Sequence, residues 1–160
     1  MVTDKQIEDA KEVVAYYTLA AAATGAVPVP AASAAIVAQN GVMIAHVASA
    51  VGVEISVANI IESMGLAATL NVVGRNLFIE GAKLLSWGTA SVWAAVALSA
   101  LGATTAGVQT YIIGRIAIEI GKNGGKPLAV SYTSKIIDDC KATYDSFVAE
   151  WSKKKIKKPA

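Results

Sequence analysis

The stretch "GAVPVPAASAAIVAQN" (residues 25–40) lies inside an uncharged run, residues 13–53, and carries Pro28 and Pro30 two positions apart. That pair decides the fold. Inside a helix each proline removes a backbone donor and clashes with the preceding turn, at roughly 3 kcal/mol or more. The residue before each is also pushed toward extended geometry. One helix through the whole run is therefore excluded. Two apolar legs joined by a stiff tip at residues 27–30, with Pro28 and Pro30 as the tip residues, satisfy the pattern. The first leg is about 20 Å long before Pro28, short of a hydrocarbon core of about 30 Å. The second is expected from about residue 31 to 51, with Gly52 as a left-handed cap.

On the N-terminal side, Thr3 and Gln6 have capping-box spacing. Ile7, Ala10, Val13, Val14 and Tyr17 then recur at helical intervals, opposite Lys5, Glu8, Asp9 and Glu12. Beyond the hairpin, Ser56 can cap a helix with Val57, Ile60, Ile61, Met64 and Ala68 on one stripe. Gly65, Gly74 and Gly81 divide residues 54–83 into two short helices. A second uncharged stretch, residues 84–114, reads as another hairpin. A single helix through Gly102 remains open, since a helical glycine costs only about 1 kcal/mol. "GKNGGKP" (121–127) is a loop: it lacks phosphate-loop spacing and no strand precedes it. The final helix has Thr133, Ile136, Ile137, Cys140, Tyr144, Phe147, Val148 and Trp151 on one face, and Lys135, Asp138, Asp139, Lys141, Asp145 and Glu150 on the other.

The fold class is thus all-α, a helical bundle with two apolar hairpins and membrane association, in about six or seven helices. Residues 1–124 form the hairpin domain, 125–151 an amphipathic helix of the same domain, and 152–160 a basic tail. Hydrophobic residues make up 54% and charged residues 16% of the 160, against roughly a quarter charged in ordinary soluble domains. Mean hydropathy is +0.51. The apolar content is rich in alanine and there are 13 glycines, residues that let helix backbones approach closely in lipid.

A net charge of +2 argues against nucleic-acid binding. The single cysteine, Cys140, excludes an internal disulfide and reads as a small buried hydrophobe. The N-terminus, "MVTDKQIEDAKE", lacks the basic start of a secretory signal. His46 has no Cys, Asp or Glu beside it, so neither a metal site nor a triad forms, and adjacent acids such as Asp138 and Asp139 point apart on a helix. No catalytic, cofactor or metal residues emerge, and the chain reads as a non-enzyme. Gln39, Met43 and His46 share a helix face and, with Gln109, are candidates for helix-packing or oligomer contacts. Trp151 with Lys153, Lys154, Lys155, Lys157 and Lys158 suits an anionic membrane surface. The expected partners are anionic lipid and further copies of the chain.

The hairpin resembles a bacterial family, the domain of unknown function numbered 697, found in YcjF-like inner-membrane proteins and often following a small GTPase domain. The family's apolar helix, "iPiPg" turn and small-residue helix ending in "lYG" are similar to "YYTLAAAATGAVPVP", "AASAAIVAQNGVMIAHVASAVG" and Gly52. Its closing pattern is similar to "TTAGVQTYIIGRIAIEI". The likeness spans about residues 5–124. The Gly-Asp after the double proline is "AAS" here, the second proline turn before "LSWGTASVW" is missing, and these 160 residues contain no GTPase domain. The resemblance implies a bacterial inner membrane and a small GTPase as a further candidate partner. If each apolar stretch enters and leaves the same side, the basic tail and the N-terminus are both cytoplasmic, as the positive-inside tendency favours. The expected function is a membrane-associated structural or scaffolding protein that self-associates through small-residue helix packing. A soluble helical adaptor or oligomer-forming partner of a small GTPase is the alternative function.

Overall fold

A computed structural model describes residues 1–23, 29–63 and 106–159. Five helices and no strand occur among them: α1 (Asp4–Ala23), α2 (Val29–Val51), α3 (Val57–Ser63), α4 (Ala106–Lys122) and α5 (Val130–Ser152). The capping box forms at the start of α1. The Thr3 backbone N–H donates to Gln6 Oε1 at 2.9 Å, and the Gln6 N–H donates to Thr3 Oγ1 at 3.2 Å. Ser56 caps α3 by accepting from the Asn59 N–H at 3.1 Å. Helix α2 starts at Val29 rather than residue 31, so Pro30 falls in its first turn, where a missing donor costs little. Val27 and Pro28 of the tip lie outside the described residues, as do the second proposed hairpin up to residue 105 and the helices expected over 64–83. Gly52 ends α2 at φ +69°. The loop expected over 121–127 begins only at residue 123, because α4 keeps Gly121 and Lys122, and Gly124 and Gly125 turn it at φ +72° and +85°.

Helices α1 and α2 pack antiparallel. Gln6 Nε2 donates to the Val51 carbonyl at 3.2 Å near one end, and Tyr17 bonds His46 at 2.7 Å further along. Gln6 therefore serves the start of α1 and the end of α2 together. Helix α4 occupies the centre, with Ile112, Ile113, Ile116, Ala117 and Ile120 all 0% exposed. It runs parallel to α2, because Asn40 meets Thr110 and Val51 meets Gly121. It runs antiparallel to α1, because Val14 meets Gly114 and Ala22 meets Gly107.

Three glycines at seven-residue spacing line the working edge of α4. A methyl on Gly114 would stand 2.6 Å from Val14 Cγ1, and one on Gly121 would stand 2.8 Å from Val51 Cγ2. One on Gly107 would collide with the Tyr144 hydroxyl. These glycines bring α1, α2 and α5 within contact of the α4 backbone, the close approach that small residues permit.

The loop after α4 is fastened to α3. Asn59 Nδ2 donates to the Gly125 carbonyl at 2.6 Å, and the Leu128 N–H donates to Ser63 Oγ at 2.8 Å. Helix α5 lays Thr133, Ile136, Cys140 and Trp151 inward, while Lys135, Asp138, Asp139, Lys141, Asp145 and Glu150 are exposed, as the periodicity requires.

Candidate functional site

Two polar residues of α2, Asn40 and His46, are used inside the bundle. His46 Nδ1 is 2.7 Å from the Tyr17 hydroxyl, and the two rings stack at 5.8 Å. Thr110 Oγ1 donates to Asn40 Oδ1 at 2.9 Å in a fully buried bond. Met43 is 0% exposed and Gln39 is half-buried. Gln109 is also 0% exposed, but neither amide atom has a hydrogen-bond partner among the described residues. Of the four packing candidates, Met43 and Gln109 belong to the interior, and His46 ties α2 to α1.

The outward side of α2 is different. Asn40, Met43, Ile44, Val47 and Val51 face the core, while Val42, Ala45 and Ser49 are exposed and Gly41 is half-exposed. Gly41, Ala45 and Ser49 recur every four residues, so small side chains form a line along a surface free of charge. A methyl on Gly41 would meet nothing within 4 Å. Among the described residues no helix is long and apolar enough to cross a membrane.

A second surface lies where α5 ends. Trp151 is 8% exposed, and Lys154 Nζ sits 4.2 Å from its ring centroid while pairing with Glu150 at 3.0 Å. The indole thus completes an aromatic ladder with Phe147 and Tyr111, at centroid spacings of 6.0 and 4.3 Å. It is packed into the protein, unlike the lysines grouped with it on sequence grounds. Lys153, Lys154, Lys155, Lys157 and Lys158 are all exposed.

Between α1, α4 and α5 a cavity of about 390 Å³ is lined by Tyr111, Phe147 and Trp151, with Glu8, Lys11, Arg115, Glu119, Lys122 and Glu150 among the charged groups at its edge. Each charge already has a partner: Lys11 with Glu8, Lys122 with Glu119, Arg115 with Asp139 and Glu150 with Lys154. Nothing there is left over to fix a charged ligand. Among the described residues no group of three or more His, Cys, Asp or Glu is placed to hold a metal ion. Cys140 is buried beside Arg115 and Asp139, and burial pushes its thiol up to about 12. Little nucleophilic thiolate exists at neutral pH.

Sequence reasoning missed the glycine line of α4, although the seven-residue recurrence of Gly107, Gly114 and Gly121 is legible. It also missed Glu12, whose role depends on a contact across 145 residues. Comparison of the chain with protein-family models, curated proteins and solved structures gives no match.

Proposed function

We propose that this chain is a non-catalytic, membrane-associated scaffold that self-associates by packing the small-residue face of α2 against a second copy. The supporting observation is the line Gly41, Ala45, Ser49, outward, small and uncharged, beside the exposed Val42, on a helix that turns Met43, Ile44, Val47 and Val51 inward. Such a face lets two backbones approach closely and gain dispersion contacts without stripping water from a charge. Anionic lipid is the second partner, reached through the exposed lysines after α5. The cytoplasmic side follows from the positive-inside tendency of the basic tail, whereas a bacterial inner membrane and a small GTPase as a further partner follow from the family resemblance alone.

The test is assembly state and membrane partition of the intact chain. The parent is expected to sediment as a defined oligomer and to float with anionic vesicles. Ala45→Arg should yield monomer with an unchanged helical circular dichroism spectrum. A parent that stays monomeric and does not float would sink the proposal. A soluble helical adaptor is the second reading, supported by the use of His46 and Asn40 in bonds between helices of the bundle. It predicts the same oligomer without flotation.

A further inference from the structure

The segment after α5 is fastened down. The Lys157 backbone N–H donates to Glu12 Oε1 on α1 at 2.7 Å, a charge-assisted bond linking residues 145 apart. Ile156 and Pro159 are half-buried, whereas all five lysines of the segment are exposed. Among the described residues only Lys154 of these five has an ion-pair partner. The segment therefore turns its apolar side chains toward the protein and presents its cations to solvent.

We propose that residues 153–159 form a cationic strip held against α1 by Glu12, and that this strip is the docking face for an anionic phospholipid surface. The inference rests on the membrane reading above and adds the contact and its positioning residue. The charge distribution supports it. A chain of net charge +2 with five lysines in its last eight residues is net acidic elsewhere. The remainder is repelled by an anionic bilayer, so attraction is confined to the strip and orients the molecule. Four of the lysines can meet headgroups without first breaking an ion pair. The strip has no arginine to read base edges, and Trp151 is buried and cannot stack on a base. What remains is point-charge attraction to a negatively charged plane, worth roughly fivefold in partition per lysine. Holding the segment in place avoids ordering it on contact, so the lysines act together.

The decisive variant removes a negative charge. If the segment were a loose basic whip, Glu12→Ala would tighten binding to anionic vesicles, because the protein becomes more positive. If Glu12 positions the strip, the same substitution weakens binding despite the added net charge. Glu12→Gln, which loses the charge but keeps an acceptor for the Lys157 N–H, should then bind like the parent. Vesicle co-sedimentation with phosphatidylcholine alone, and with phosphatidylserine added, reads all three. We expect the parent to bind only the anionic vesicles, Glu12→Ala to lose about threefold to tenfold, and the triple substitution Lys155→Gln, Lys157→Gln and Lys158→Gln to lose on the order of a hundredfold. Amide exchange at Lys157 in lipid-free protein reads the anchor separately: protected in the parent and Glu12→Gln, unprotected in Glu12→Ala. Tighter or unchanged binding by Glu12→Ala, or a fast-exchanging parent amide, overturns the strip while leaving the scaffold reading standing. A parent that binds no vesicle overturns both. Stronger capture by single-stranded RNA than by phosphatidylserine vesicles overturns the choice of lipid.

Discussion

Gln109 occupies the same face of α4 as Ile112, Ile113, Ile116 and Ile120, and like them it is fully buried. Neither amide atom is bonded among the described residues, and an amide left unpaired in the folded chain costs about 1–3 kcal/mol. Gln109→Met keeps the volume and removes the polar atoms. We expect it to raise the urea midpoint, by about 1 kcal/mol or more in stability. A lower midpoint would reveal a hydrogen-bond partner for the amide. Cys140 makes a second test. Burial first, and the Asp139 carboxylate after it, outweigh the nearby Arg115 guanidinium and raise the thiol from 9.0 to about 12. Below about pH 9 both folded and unfolded chains hold the proton. Between pH 9 and 12 the unfolded chain releases it and the folded one does not, so this contribution to stability falls as pH rises. Thermal midpoints at pH 8 and 10.5 should drop further for the parent than for Cys140→Ala. Maleimide labelling of the parent at neutral pH should require unfolding.

At the scale of elements, two helical glycines should respond in opposite directions to the same substitution. Gly114→Ala gains helix propensity of about 1 kcal/mol but drives a methyl against both Val14 γ-carbons, at 2.6 and 2.7 Å. Valine has few rotamers with which to retreat, so overpacking of about 1–3 kcal/mol wins. Adding Val14→Ala should recover part of that loss, visible as a coupling in a double-mutant cycle. Gly41→Ala has open space around it and should stabilise the monomer by up to about 1 kcal/mol. If α2 packs on a second copy, the same methyl should weaken assembly, which sedimentation equilibrium would detect. These elements also show where sequence reading succeeds and stops. The Thr3–Gln6 cap, the Ser56 cap, the Gly52 stop and the α5 stripe are local patterns, so spacing alone located them. The close partners of Gly107 and Gly114, the Asn40–Thr110 bond and the Glu12 anchor join distant parts of the chain, and no periodicity announces them. The outward line on α2 was obscured because no charge marks it, and hydropathy does not distinguish a core face from an assembly face.

Across the whole molecule, the central position of α4 has a consequence for how the chain is made. Asn40 and Thr110 are 70 residues apart, and Asn59 and Gly125 are 66. The core of this helical protein is therefore built from distant contacts, and it should fold more slowly than a bundle of sequential hairpins, in milliseconds or longer rather than microseconds. Stopped-flow refolding completed within tens of microseconds would contradict this. Synthesis stretches the interval further. At roughly 5–20 residues per second, α1 and α2 leave the ribosome several seconds before α4. During that time Gln6–Val51 and Tyr17–His46 can clasp the first hairpin, but Ala10, Val14, Met43 and Val47 still lack the helix that covers them. A nascent chain ending near Val53 should therefore bind a trigger-type chaperone or a lipid surface, and should let go once synthesis passes Lys122. Timing of this kind would give the young protein its longest exposure to a membrane before its own core closes.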